Sequence, residues 1–165
     1  MKILIAMGAI AALPAFAQDQ AIQELTKHWA TSKTFTLAVA NAMPDANYAF
    51  KATPEEMSFG EMAVHIASAN DYYCSSAAGT KSPFVKPVTN DKATAAKLLA
   101  QSFDFCVAAV GGLKTADLNK MIGPEGKQSS VRELLLGGFT HTAHHRAQLE
   151  VYLRLKGIKP PDYQF

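Results

Sequence analysis

Three of the five histidines in this chain fall in one short stretch, Thr140-His141-Thr142-Ala143-His144-His145-Arg146-Ala147-Gln148. The stretch lies inside a segment whose periodicity predicts a helix from about Val131 to Lys156. On a helix turning about 100° per residue, His141 and His145 project about 40° apart, one turn above one another. Two imidazoles so placed can share a ligand. Val131, Leu134, Leu135, Leu149, Tyr152 and Leu153 fall in an apolar stripe that contains His145 and is flanked by His141, so both rings are expected to face inward. His144 leans towards the polar side. An inward imidazole pair with no charged neighbour needs partners for its lone pairs, and a divalent metal ion is the simplest one. The alternative is two core histidines, each bonded to a backbone or side-chain partner.

A third imidazole enters from another helix. Ser58-Phe59-Gly60-Glu61 has the Ser-x-x-Glu spacing of a capping box, which marks a helix start. Along that helix Phe59, Met62, Ile66, Ala69 and Tyr73 make the expected buried stripe, with His65 at its edge, about 60° from its centre. Taken alone, His65 reads better as a satisfied core histidine than as a ligand. Glu61 lies one turn before it; capping is the simpler role for this carboxylate, although it could also accept the ring N–H of His65. Neutral nitrogens from His65, His141 and His145 would leave at least one coordination position open for water or substrate.

These side chains need a scaffold, and the periodicity supplies one. From Asp19 to about Ala42, the residues Ile22, Leu25, Trp29, Ser32, Thr36, Val39 and Met43 make the seam of a first helix, and His28, off that seam, is expected to face solvent. Pro44, Asp45, Asn47 and Pro54 make an irregular connection, pinned by Tyr48 and Phe50, before the helix that carries His65. Pro83 and Pro87 keep the next connection non-helical. A third helix runs from about Asp91 to Val110 with Ala95, Ala96, Leu99, Phe103, Cys106 and Val110 on its apolar face, and Gly111-Gly112 ends it. Leu113 to Gln128 reads as a loop, Ser130-Val131-Arg132-Glu133 as a second capping box, and Gly157 as the stop of the histidine helix. No strand signal rises above these helices. The fold class is all-α, a four-helix bundle, whose facing interior surfaces commonly hold metal sites.

A chain of 165 residues is one domain's worth, and a formal charge of +2 with dispersed Lys and Arg excludes a nucleic-acid surface. Met1 to Leu13 carries one positive charge and then a short apolar run, with Ala15-Phe16-Ala17 as a small-x-small cleavage site. Residues 1–17 therefore read as a signal peptide and 18–165 as the exported mature domain, periplasmic in a Gram-negative source and without a membrane span, since the run is shorter than the roughly 20 residues a bilayer needs. Export lets Cys74 and Cys106 be oxidised to a bridge between helices; two small buried thiols are the default for such positions.

The run Ser58-Phe59-Gly60-Glu61-Met62-Ala63-Val64-His65-Ile66-Ala67, then His141-Thr142-Ala143-His144-His145-Arg146-Ala147-Gln148, Tyr152-Leu153-Arg154 and Gly157-Ile158-Lys159-Pro160-Pro161, resembles the DinB-like (YfiT-like) metalloprotein family over nearly the whole mature chain. The resemblance implies a four-helix bundle, commonly a homodimer, with a divalent metal held by His65, His141 and His145. His144, Arg146 and Gln148 match the family's flanking pattern, and Ala147 stands where many members have Gly. Characterised members resemble thiol-dependent transferases or isomerases of reducing compartments, from which the leader sets this chain apart.

Two readings of function follow. In the first, Zn²⁺ or Ni²⁺ on the three histidines lowers the pKa of a water or a substrate thiol, giving a metal-dependent hydrolase or thiol-type transferase acting on a small molecule, with Gln148 as a ligand-orienting residue or a polar flank. In the second, the protein is a non-catalytic metal-binding or stress-associated bundle. An open pocket over the metal favours the first and a closed site the second.

Overall fold

The computed structural model of the chain describes residues 13–164, with side chains from Gln20 onward. Four helices dominate it: α1 (Leu13–Ala42), α2 (Phe59–Ala78), α3 (Lys92–Gly111) and α4 (Val131–Leu155). The proposed leader lies outside the described residues as far as residue 12, and residues 13–17 open α1, which starts earlier than the seam from Asp19 implied.

Local chemistry sets the helix ends. Ser58 Oγ accepts from the Glu61 N–H at 3.2 Å and the Glu61 carboxylate accepts from the Ser58 N–H at 2.7 Å, so the capping box that starts α2 is complete. Asp91 caps α3 by accepting from the Thr94 N–H at 2.8 Å. At α4 the box is made in one direction only, with Ser130 Oγ accepting from the Glu133 N–H at 3.1 Å. Gly157, at φ 72°, turns the chain out of α4 in a left-handed conformation open to glycine. One feature was not foreseen. The loop before α4 folds back as a short antiparallel pair, β1 (Met121–Ile122) against β2 (Ser129–Ser130), too short to carry an alternating pattern.

Around the bundle, α1 packs on α3, α3 on α2 and α2 on α4, while the α1–α4 seam is the thinnest. Trp29, Phe35, Met43, Phe59, Met62, Leu99, Phe103, Leu135 and Leu149 are fully buried, each worth about 1.5–3 kcal/mol of transfer free energy. The two cysteines are joined: Cys74 of α2 and Cys106 of α3 form a disulfide across a Cα separation of 5.3 Å. By length and composition α3 could cross a membrane, but it lies between α1 and α2 and carries this bridge.

The core is not purely apolar, and this shifts both inner faces from their expected positions. On α4 the buried line runs through Val131, Leu135, Gly138, Thr142, Arg146, Leu149, Tyr152 and Leu153, so His141 and His145 flank it, half-buried, instead of His145 lying within it. On α2, Asn70 and Cys74 take the core, with Ala69 and Tyr73 half-buried at its edge. Asn70 explains both shifts. Its amide nitrogen donates to Ser102 Oγ of α3 at 3.3 Å and its carbonyl accepts from Thr142 Oγ1 of α4 at 2.6 Å, joining three helices through satisfied polar groups.

Candidate metal centre

With Thr142 locked onto Asn70, the residues one before and three after it on α4 turn towards α2. His141 and His145 thereby meet His65. His65 Nε2 lies 3.1 Å from His141 Nε2, and the ring centroids are 4.9 Å (His65–His141), 4.7 Å (His65–His145) and 4.4 Å (His141–His145) apart. Each ring offers one nitrogen, and these ligand atoms lie within 4.8 Å of one another, a group that could hold a metal ion. Nitrogen lone pairs this close repel unless a proton or a cation lies between them. His144 is exposed and meets His145 edge-on, as its place on the wheel implied.

The surroundings favour the neutral form of His141 and His145, the form that binds metal. Burial first, and then the neighbouring His145, His65 and His144, push His141 down to about 4. Burial also lowers His145, against the raising effect of its bond to Gln148. That bond fixes a tautomer. Gln148 Oε1 lies 2.6 Å from His145 Nδ1, and because an amide oxygen can only accept, Nδ1 carries the proton and Nε2 keeps its lone pair. Gln148 therefore orients a candidate ligand. His141 Nδ1 is buried with no hydrogen-bond partner among the described residues. Three imidazoles with no carboxylate among them suit a borderline cation such as Zn²⁺ or Ni²⁺ better than Mg²⁺ or Ca²⁺.

The comparisons with known proteins agree with this architecture. The DinB superfamily model matches residues 20–149, which takes in all three histidines. This chain belongs to the DinB superfamily. A DinB-like protein of Bacillus subtilis, solved crystallographically, superposes with a TM-score of 0.73 at 25% identity, covering 86% of this chain and 97% of that one. Another, from Bacillus cereus ATCC 10987, gives 0.72 at 21% identity with the same coverage. No curated protein matches.

In this DinB bundle the approach of α2 to α4 beside the site depends on a glycine to which no role was assigned in the sequence. A Cβ on Gly138 would lie 2.8 Å from Tyr73 Cβ, so only glycine lets Tyr73 pack there, where its ring also touches His141 at 6.1 Å. A bare helical glycine signals a close approach only once the facing residue is known. Gly60 is similar: a Cβ there would collide with the Asn90 carbonyl, which holds the connection before α3 against the first turn of α2.

That connection walls a cavity of about 510 Å³ beside His65, with Met57, Val64 and Phe84 as apolar surface and Glu61, Ser68 and Lys86 as polar groups. The earlier connection is tied over α4, where Tyr152 Oη donates to the Met57 carbonyl at 2.9 Å and Lys156 lies 4.6 Å above the Phe50 ring. Glu61 caps α2 and faces the cavity without bonding His65 in the described contacts. His28 is not simply solvent-facing: it is half-buried, edge-on to Phe139 at 6.2 Å.

Proposed function

We propose that this DinB-superfamily protein is an exported metal-dependent enzyme, a hydrolase or a thiol-type transferase acting on a small molecule, with His65, His141 and His145 holding Zn²⁺ or Ni²⁺. One observation carries the reading: ligand nitrogens from two helices converge within 4.8 Å next to a cavity of about 510 Å³ that His65 itself lines. An open site of that size suits substrate access better than a cation that only staples helices.

When bound, such a cation supplies Lewis acidity that brings a water or thiol into its deprotonated form near neutral pH. The chain's own part is orientation. Gln148 holds the His145 ring, and the Asn70–Thr142 bond holds the rotation of α4. Met57, Val64 and Phe84 give the cavity apolar surface, while Lys86 and Ser68 can position the polar part of a substrate. Export is supported by the leader pattern of residues 1–17 and by the Cys74–Cys106 disulfide, since stable bridges are rare in reducing compartments.

The test is elemental analysis of the mature protein purified without chelators, beside His145→Ala. Stoichiometric Zn or Ni in the parent and its loss in the variant support the reading. A metal-free parent that also takes up no added Zn²⁺ or Ni²⁺ overturns it. Incubating the loaded protein with an electrophile, with and without a low-molecular-weight thiol, then separates transfer from hydrolysis by the product.

A further inference from the structure

The thin seam between α1 and α4 opens a second cavity, of about 330 Å³, on the side of α4 away from the three histidines. Its walls are Ser32 and Phe35 of α1, Phe139, Ala143 and Arg146 of α4, and Tyr163 of the C-terminal tail. Phe35 and Tyr163 meet edge-on at 5.8 Å and close one end.

Arg146 is the unusual group here. Its residue is only 8% exposed, yet no carboxylate lies within ion-pair distance of it among the described residues. Its guanidinium lies 4.4 Å above the Phe35 ring and, among the described residues, gives one hydrogen bond, from Nη1 to Ser32 Oγ at 3.1 Å. Glu150, one turn further along α4 on the cavity wall, is ion-paired with Arg154 at 3.8 Å and acts on Arg146 only through its more distant charge. A guanidinium stays charged, has five N–H donors, and is costly to bury without an anion. Arg146 lines the cavity, where a planar two-oxygen acceptor would match the fork of a guanidinium.

We propose that this cavity binds a small amphipathic monocarboxylate, its carboxylate on Arg146 and its apolar body against Phe35, Phe139 and Tyr163. The volume is that of a small ligand pocket, roughly 300 Å³ at the lower end of the usual range. One buried cation beside aromatic side chains, with the Glu150 carboxylate also on the wall, selects one carboxylate on an apolar body over a polyanion, which Glu150 would repel. The site stands apart from the metal centre and does not rest on the reading given for it.

Calorimetric titration of the mature protein with 3-phenylpropionate, and in parallel with the neutral 3-phenylpropanol, tests this. Trp29, the lone tryptophan, packs edge-on against Phe139 at 6.0 Å and supplies a fluorescence signal from the cavity wall. The expected result is saturable 1:1 binding of the acid, at least tenfold weaker binding of the alcohol, loss of binding in Ala143→Leu, which fills the cavity while keeping Arg146, and at least tenfold weakening in Arg146→Lys. His145→Ala and chelator-treated protein are expected to bind the acid as the parent does. The proposal is overturned if the parent shows no saturable binding up to millimolar acid, if the alcohol binds as well, if folded Ala143→Leu binds unchanged, or if binding disappears with the metal ligand, which would place the carboxylate at the three-histidine centre. Should Arg146→Lys fail to fold, Ala143→Leu and the alcohol still decide the matter.

Discussion

An imidazole whose second nitrogen is already committed binds a cation without having to choose a tautomer, and Gln148 does this for His145. Gln148→Leu is therefore expected to weaken metal affinity by roughly 10–100-fold while leaving the helical circular dichroism intact, as competition with a chromophoric chelator would show. Unchanged affinity would reduce Gln148 to a polar flank. Asp71 offers a separate prediction. Burial pushes its carboxyl up from 3.8 to about 6, and Oδ1 is buried without a partner among the described residues. A raised carboxyl favours the protonated folded form, so its contribution to stability is full below about pH 3.8 and is lost as pH rises to about 6. Asp71→Asn is thus expected to stabilise the fold above pH 6, by up to about 2 kcal/mol, and to make little difference near pH 4. Thermal melts showing the same shift at both pH values would contradict this. The histidine ligand candidates were legible in the sequence because a wheel fixes the direction of a side chain from spacing alone. Asn70, Thr142 and Arg146 were not, because a polar residue earns a core position only through a partner, and those partners sit 72 and 114 residues away.

The pairing of α2 with α4 makes the site, and two contacts set it. Gly138→Ala places a methyl against Tyr73 and is expected to push the helices apart, costing about 1–3 kcal/mol and lowering metal occupancy together with stability. Thr142→Val instead leaves the Asn70 carbonyl buried and unpaired, for a similar loss of about 1–3 kcal/mol. Chemical denaturation of both variants checks this, and a Gly138→Ala protein as stable as the parent would show that the helices can give. Helix positions were well read from the pattern of apolar residues and caps: α2, α3 and α4 lie close to where Ser58, Asp91 and Ser130 placed their starts. Neighbourhood was not. Amphipathic faces say that helices bury something, not which helix they bury it against, so the order α1, α3, α2, α4 around the bundle emerged only in three dimensions.

Across the whole molecule the disulfide and the candidate metal centre tie α2 to opposite neighbours, α3 through Cys106 and α4 through His141 and His145. The bridge closes a loop of 32 residues, for which chain entropy gives about 3–4 kcal/mol. Reduction is expected to lower the melting temperature by roughly 10 °C, measured by scanning calorimetry with and without reductant. A native protein with two titratable thiols and no such change would contradict the bridge. His65 and His141 are separated by 76 residues, so the cluster does not exist in the extended polymer. A nascent polypeptide has no place to seat an ion until its second and fourth helices have met. A chain threaded unfolded through a membrane would therefore arrive empty, and the ion it finally carries would be drawn from the pool on the far side, chosen by where folding finishes as much as by the ligands themselves.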